Sequence, residues 1–157
     1  MPILQYRNKS GALSEKKEDL LLIREHYEGT LIINDSIDLI DYADGLHIGQ
    51  EDIRKYSADL KEAVGMIRQK IGNKVLGLST HNKEEIHEAN TLDLDYIGLG
   101  AYRATNTKSE ANVGGKDLIA AASHSVHPVG MIGGVKLSDD FEEPINYKVI
   151  GSDLYVK

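Results

Sequence analysis

Short apolar runs that end in polar residues are the feature that most constrains how this chain can fold. Two of them are Leu31-Ile-Ile-Asn-Asp35 and Gly45-Leu-His-Ile-Gly-Gln-Glu-Asp52. Two later runs, Val75-Leu-Gly-Leu-Ser79 and Tyr96-Ile-Gly-Leu-Gly100, end in the same way. In parallel β/α barrels the C-terminal ends of neighbouring strands face one pocket. These runs therefore predict buried parallel strands whose polar ends surround a shared site.

Helical stretches separate the apolar runs, so strands and helices are expected to alternate along the chain. The predicted strands are 3–5, 31–34, 45–48, 75–78, 95–99, 128–132 and a last one within 147–156. The predicted helices are 14–26 (with Ser14 as N-cap), 37–42, 53–71, 81–90 (with Asn82 as N-cap) and 116–123. This alternation favours a parallel sheet with right-handed crossovers. Polar groups end nearly every strand, which favours a β/α barrel over an open sheet with one switch point.

The composition narrows the class of protein. A length of 157 residues predicts a single domain, 1–157, and a net charge of -7 argues against nucleic acid as a partner. The chain has no cysteine, which excludes disulfides and thiolate metal sites. No apolar run approaches the roughly 20 residues of a membrane span, and the N-terminus does not resemble a signal peptide. We therefore expect a cytoplasmic protein without membrane contact.

Two aspartates follow neighbouring predicted strands, Asp35 directly and Asp52 after three residues. Asp35 and Asp52 would deliver two carboxylates to one end of the sheet, where a hard divalent cation accompanied by a phosphate would suit them. The simpler alternative is that each aspartate caps a helix. The pattern alone leaves both interpretations open.

Seven motifs in a fixed order resemble the thiamine phosphate synthase family. They are Gln5-Tyr-Arg7-Asn-Lys9, Ile33-Asn34-Asp35, Ala43 to Asp52, Gly77-Leu-Ser79-Thr-His81, Asp95 to Gly100, Thr105-Asn-Thr107-Lys108 and Ile132-Gly133-Gly134-Val135. Each motif alone is weak, but their order and strand-end context make the resemblance specific. It covers almost the whole chain and implies a (β/α)8 barrel. It also implies a transferase that joins a hydroxymethylpyrimidine diphosphate to a thiazole phosphate, with Mg²⁺, to give thiamine monophosphate and pyrophosphate.

The resemblance also implies a role for each matching residue. Asp35 and Asp52 would hold Mg²⁺. The catalytic group around the diphosphate would be Arg7, Lys9, Asn34, Ser79 and Lys108. Substrate-binding positions would be Gln5 beside the pyrimidine, and Thr105, Thr107 and the backbone of Gly133 and Gly134 around the thiazole phosphate. The partners implied are thus small phosphorylated molecules.

The chain departs from the family pattern at both ends. The family has a strand and a helix before the strand that carries Gln5, Arg7 and Lys9, and a helix after its last strand. We therefore expect a shortened (β/α)8-type barrel that lacks the first β/α unit and the final helix. An exposed strand edge would need cover, for which a homo-oligomer is one solution.

Two other functions compete with the synthase. One is a thiazole tautomerase-like isomerase of the same fold, and the other is a truncated paralogue that binds ligand without catalysis. The isomerase does not need the full diphosphate and metal set, so the presence of that set favours the synthase.

Several other polar residues have simpler interpretations. His47, inside a strand, is expected to be packed in the interior, and His81 stands at a strand end near the site. The pairs Glu84-Glu85 and Asp139-Asp140 are expected to be solvated, and Tyr102 is expected to lie at the surface.

Overall fold

The computed structural model describes residues 3–103 and 115–151, and within them strands and helices alternate as expected for an α/β protein. The strands are β1 (Ile3–Tyr6), β2 (Thr30–Asn34), β3 (Gly45–Ile48), β4 (Val75–Thr80), β5 (Tyr96–Leu99), β6 (Val129–Met131) and β7 (Ile145–Lys148). The helices are α1 (Leu13–His26), α2 (Gln50–Arg54), α3 (Leu60–Ile71), α4 (Lys83–Ala89) and α5 (Lys116–Ala122), with a 3₁₀ helix at Ile37–Tyr42.

The chain forms two compact units, Met1–Gly77 and Leu78–Lys157, and β4 begins in the first and ends in the second. In the first unit β1 pairs with β2 and β2 with β3, all parallel, in a register that sets Gln5 opposite Ile32 and Asn34 opposite His47. The three apolar residues of β2 are at most 1% exposed. Such continuous apolar strands are typical of parallel sheets that are covered on both faces.

Helix α3 covers this unit with one apolar face. Its buried residues recur at helical spacing: Leu60, Ala63, Val64, Ile67 and Ile71. At the N-terminal ends of the strands, basic side chains bond backbone carbonyls. Lys74 Nζ donates to the carbonyls of Ile40 and Ala43, at 2.8 Å each, and Arg68 Nη1 donates to those of Gly72 and Lys74 at 3.1 and 2.7 Å.

In the second unit β5 pairs with β6 and β6 with β7, again all parallel. Ile97 lies opposite Val129, and Val129 lies opposite Ile145. An irregularity between Val129 and Gly130 shifts the register toward β7. Helices α4 and α5 belong to the same unit and each buries apolar residues.

Three predictions of secondary structure were wrong in detail. The helix expected at 53–71 is two helices, because Asp59 caps α3 by accepting hydrogen bonds from the N–H groups of Lys61 and Glu62. Helix α1 begins at Leu13, so Ser14 lies inside it and is not its N-cap. The last described strand is 145–148, so it begins two residues before the expected range. Only one of its residues, Ile145, is buried, so it lacks the apolar pattern used to locate strands.

Among the residues that the structure describes, no helix has the length and apolar character needed to cross a membrane.

Candidate functional site

The polar residues after β1, β2 and β3 line one pocket of about 250 Å³ in the first unit. Its lining residues are Arg7, Asn8, Lys9, Lys16, Asn34, Asp35, Ser36 and Asp52. Five of these eight were selected from the sequence. A sixth selected residue, Gln5, reaches the pocket through Asn34, because Gln5 Nε2 donates to Asn34 Oδ1 at 2.9 Å.

Asp35 occupies a left-handed backbone conformation, with φ of 65°. This conformation is uncommon outside glycine, but aspartate and asparagine adopt it more readily than other residues. The Asp35 N–H donates to the carbonyl of His47 at 2.9 Å, which fixes the turn against β3. Its carboxylate accepts hydrogen bonds from Asn34 Nδ2 at 2.6 Å and from the N–H of Gly49 at 3.3 Å. The side chains of Gln5, Asn34 and Asp35 thus form a chain of hydrogen bonds along the pocket.

The carboxylates of Asp35 and Asp52 repel each other across the pocket. The pKa of Asp35 is raised above its ordinary value, first by desolvation and then by the negative charge of Asp52. Asp35 as a residue is exposed, but protein atoms crowd its carboxyl group, and this crowding accounts for the desolvation. The Gly49 N–H and the charge of Arg7 oppose the shift. A cation between two such carboxylates would relieve their repulsion.

Neither aspartate caps a helix. Ser36 is the N-cap residue of the 3₁₀ helix, and Gly49 is that of α2, while Asp52 lies in the first turn of α2. Within this turn Asp52 Oδ1 accepts a hydrogen bond from Lys55 Nζ at 2.8 Å. The alternative interpretation of Asp35 and Asp52 as capping residues is therefore excluded by the backbone geometry.

The donor set suits Mg²⁺ better than a metal that needs a protein cage. No group of three or more His, Cys, Asp or Glu residues in the described part of the chain is arranged to hold a metal ion. Mg²⁺ usually takes only one or two carboxylates from the protein, and its remaining ligands are water and substrate phosphate oxygens. The Asp35 and Asp52 carboxylates fit this requirement.

Three basic side chains share the pocket with the carboxylates. Arg7 and Lys9, which the sequence predicted to bind the diphosphate, follow β1 and are exposed. Lys16, in the first turn of α1, was missed by sequence reasoning, and its Nζ donates to Ser36 Oγ at 3.2 Å. The position of Lys16 in the sequence could have indicated this role. In a β/α barrel the first turn of the helix after a strand lies over the C-terminal ends of the strands.

His47 is buried in β3 with 5% of its surface exposed, which confirms the predicted interior position. Burial, with a smaller contribution from the positive charge of Arg7, lowers its pKa to about 4. The imidazole is therefore neutral near pH 7, and it adds no positive charge beside the basic side chains of the pocket.

The remaining predicted site residues belong to the second unit or lie outside the described residues. Ser79 is half-buried in β4, next to Thr80, whose Oγ1 donates to the Gly98 carbonyl at 2.8 Å. Thr105, Thr107 and Lys108 lie outside the described residues. After β4, Asn82 caps α4 as predicted, since its Oδ1 accepts from the N–H of Glu85 at 2.8 Å.

Glu85 was expected to be solvated, and this was wrong. Its carboxylate accepts from the N–H of His81 at 2.9 Å and contacts His81 Nδ1 at 2.8 Å. The contact follows from the i, i+4 spacing across the start of α4. His81, at the end of β4, is therefore held by the helix that follows it.

Gly133 and Gly134 form the turn that follows β6, which we call the diglycine turn. Both have positive φ, 91° and 65°. A Cβ atom at Gly133 would lie 2.7 Å from Ala101 Cα, and one at Gly134 would lie 2.8 Å from Arg103 Cβ. Both the backbone conformation and the close approach of residues 101–103 thus require glycine at these positions.

Arg103 and Asp139 form an ion pair beside the diglycine turn. Arg103 Nη1 and Nη2 donate to the two carboxylate oxygens of Asp139 at 2.5 and 2.8 Å. The expectation that Asp139 is solvated was therefore wrong, and its side chain is only 16% exposed. Tyr102, expected at the surface, is half-buried and packs edge-to-face against Phe141, with ring centroids 5.1 Å apart.

A family model described as "Thiamine monophosphate synthase" matches residues 1–146. The chain belongs to this family. It is 38% identical over 148 residues to the thiamine-phosphate synthase of Dictyoglomus thermophilum, covering 89% of the chain and 62% of the relative. It is 39% identical over 142 residues to that of Caldicellulosiruptor bescii, covering 85% and 61%.

The chain is also similar to a solved structure. The thiamine phosphate pyrophosphorylase from Pyrococcus furiosus superposes with a TM-score of 0.69 at 27% identity, over 86% of the chain and 63% of that protein. The chain thus spans about three fifths of the length of the thiamine monophosphate synthase relatives that it matches. The resemblance found in the sequence is confirmed at the level of the family.

Proposed function

We propose that this chain acts in thiamine biosynthesis as a thiamine-phosphate synthase. The reaction would couple hydroxymethylpyrimidine diphosphate with thiazole phosphate, in the presence of Mg²⁺, to give thiamine phosphate and pyrophosphate. Two lines of support meet here: the family membership, and a pocket whose side chains suit a metal-bound diphosphate. Of these, the pairing of Asp35 and Asp52 beside three basic side chains is the observation that carries the proposal.

The basic residues of the pocket would bind the diphosphate and stabilise its departure. Negative charge grows on the leaving oxygens as the bond to the pyrimidine carbon breaks, and donors aimed at those oxygens stabilise it most. The guanidinium of Arg7 can donate to two oxygens at once, whereas Lys9 and Lys16 act as point charges. Lys108 and Ser79 are proposed for the same group from the sequence motifs.

The acidic and amide residues would hold the metal and the ring. Asp35 and Asp52 would carry Mg²⁺, and Asn34 would keep Asp35 in place through their 2.6 Å hydrogen bond. When bound, Mg²⁺ would supply charge neutralisation at the diphosphate. Gln5, which bonds Asn34, would lie beside the pyrimidine. No protein nucleophile is required, since the thiazole nitrogen attacks the carbon that the diphosphate leaves.

The thiazole phosphate would be bound by the diglycine turn together with Thr105 and Thr107. Backbone N–H groups at closely approached glycines are suited to phosphate oxygens. The Gly133 and Gly134 N–H groups make no hydrogen bond to other described residues.

A direct assay tests the proposal. The protein is mixed with both substrates and Mg²⁺, and thiamine monophosphate and pyrophosphate are measured. We expect equal amounts of both products, and no product when EDTA removes the metal. Failure to form thiamine monophosphate at high concentrations of both substrates would overturn the proposal.

Calorimetry separates the competing functions. Pyrophosphate binding that requires Mg²⁺ and is lost in Asp35→Asn, without turnover, would indicate a ligand-binding paralogue. Thiazole phosphate binding without any response to pyrophosphate would indicate a tautomerase-like isomerase.

Three wider expectations belong to the same proposal. The parallel strands would be part of a (β/α)8-type barrel, as the similarity to the Pyrococcus furiosus protein supports. The chain would work on small phosphorylated molecules in the cytoplasm, and self-association would cover exposed strand edges. Size-exclusion chromatography with light scattering measures the last of these directly.

A further inference from the structure

Arg103 bonds both carbonyls of the diglycine turn. Its backbone N–H donates to the Gly133 carbonyl at 2.9 Å, and its Nη1 donates to the Gly134 carbonyl at 2.9 Å. One residue earlier, the Tyr102 N–H donates to the Ile132 carbonyl, also at 2.9 Å. Three successive carbonyls are thus directed toward residues 102–103.

The direction of these carbonyls fixes the direction of the amides that follow them. In a trans peptide unit the C=O and N–H groups point to opposite sides. The N–H groups of Gly133, Gly134 and Val135 therefore point away from residues 102–103. Three N–H groups on one side of a tight turn form an anion-binding concavity.

The guanidinium group of Arg103 is itself held on two sides. Asp139 accepts from both of its terminal nitrogens, and the same carboxylate accepts from the Lys136 N–H at 2.8 Å. The guanidinium carbon lies 4.8 Å from the centre of the Tyr102 ring, and that ring packs on Phe141. This bidentate contact restricts the orientation of the Arg103 guanidinium more than a single ion-pair contact would, because two parallel hydrogen bonds fix the plane of the group.

We propose that Arg103, anchored by Asp139, is a positioning residue that holds the diglycine turn with its amides ready for the phosphate of the thiazole substrate. The inference rests on the proposed function for the identity of that phosphate. Arg103 would act through the backbone of Gly133 and Gly134 rather than by touching the ligand.

A direct contact between Arg103 and the phosphate makes the opposite prediction for one variant. Asp139→Asn removes a negative charge beside Arg103 and leaves the guanidinium in place. If Arg103 bound the phosphate directly, this change would leave binding equal or tighter. If Arg103 positions the turn, losing its anchor weakens binding.

The experiment measures calorimetric affinities for thiazole phosphate and for the thiazole alcohol that lacks the phosphate. The variants are Arg103→Lys, Asp139→Asn and the double variant, and circular dichroism confirms that each is folded. Arg68→Lys is the matched control, because Arg68 also bonds two turn carbonyls, those of Gly72 and Lys74. Mg²⁺-dependent binding of pyrophosphate is the second control.

We expect each single variant to bind thiazole phosphate about tenfold more weakly. Each substitution disrupts the charge-assisted hydrogen bonds between Arg103 and Asp139. The double variant should be little worse than either single variant, because mutations within one network are not additive. Binding of the alcohol and of pyrophosphate should not change, and Arg68→Lys should behave like the wild type.

Each contrary result has a defined meaning. If the wild type binds thiazole phosphate and Asp139→Asn binds it as well or more tightly, the positioning role is overturned and the proposed function stands. Additive losses in the double variant, or equal losses for the alcohol, also overturn it. If the wild type binds pyrophosphate with Mg²⁺ but does not bind thiazole phosphate, the synthase proposal and this inference fail together.

Discussion

The pocket in the first unit and the diglycine turn in the second unit would bind phosphate by opposite means. The pocket holds charged side chains, and its two carboxylates repel each other, a repulsion that a bound cation would relieve. The turn presents neutral amides whose direction is set by bonds to the carbonyls beside them. In this proposal the first region would depend on a metal and on charge, whereas the second would depend on backbone shape.

The two regions should therefore be sensitive to different kinds of substitution. Removing a charge should disable the pocket while the fold survives, because none of its lining residues is buried. Adding a single methyl group should disable the turn, because its glycines are closely approached by residues 101–103.

The largest effect is expected for Asp35→Asn in the pocket. Asparagine tolerates the left-handed backbone at this position but removes the charge that a metal needs. We expect Mg²⁺-dependent affinity for pyrophosphate to fall about 100-fold or more, and thiazole phosphate affinity to stay unchanged. Titration calorimetry with and without Mg²⁺ measures both. Asp38→Asn, on the exposed face of the 3₁₀ helix, is the control, and an equal loss there would contradict the metal role.

The second prediction concerns the diglycine turn. Gly133→Ala places a Cβ 2.7 Å from Ala101 Cα at a φ of 91°, so we expect the free energy of unfolding to fall by about 1–3 kcal/mol. Gly65→Ala is the matched control, because Gly65 lies in α3 with open space around a Cβ atom. There we expect a gain of about 0.5–1 kcal/mol. Urea denaturation measures both changes, and similar effects at the two sites would refute the crowding argument.

The third prediction is a pH dependence of stability that originates beneath the pocket. The pKa of His47 is lowered to about 4, below its ordinary value near 6.5, so at acid pH the unfolded chain binds a proton that the folded chain resists. Its stabilisation is complete above about pH 6.5 and is lost as the pH falls toward 4, by at most about 1.4 kcal/mol per pH unit. Denaturation in EDTA between pH 4 and 7 should show a weaker slope for His47→Gln. Identical slopes would show that His47 is not the cause.

The smallest effect is expected for Lys16→Met. Lys16 lines the pocket from the first turn of α1, and we expect its loss to weaken pyrophosphate binding about three- to fivefold, as for one partly solvated charge. Lys17→Met removes the neighbouring lysine, whose Nζ lies 5.2 Å from the centre of the Tyr42 ring. Titration at two salt concentrations compares the variants. Equal losses for both lysines would indicate general electrostatic attraction rather than a pocket contact.

Sequence reasoning succeeded where the signal is local. The apolar runs located six of the seven described strands. The polar ends of β2 and β3 predicted that Asp35 and Asp52 come together, and both line the pocket of the first unit. Asn82 was recognised as a cap because the residue type and its position before the helix suffice. Parallel strand ends lie together by geometry, so a linear pattern is enough to predict that the residues after β1, β2 and β3 share a pocket.

Sequence reasoning failed where a residue's partner lies far away in the chain. It also failed where the sequence pattern does not distinguish between neighbouring residues or between one helix and two. Arg103 and Asp139 are 36 residues apart, and no spacing rule links them. The stretch 53–71 has helical spacing throughout, but the capping carboxylate of Asp59 starts a new helix there. Lys16 is one of two adjacent lysines, and only the direction of α1 distinguishes the one that faces the pocket.

The left-handed backbone at Asp35 has a consequence for how such a chain can change over generations. A side chain branched at Cβ would strain the turn, so the residues that can replace aspartate without harming the fold are mainly asparagine and glycine. Descendants that abandoned metal-dependent chemistry would be free to drift to those two residues while remaining well folded. The identity of this one residue in a relative would then distinguish a retained activity from a vestigial one.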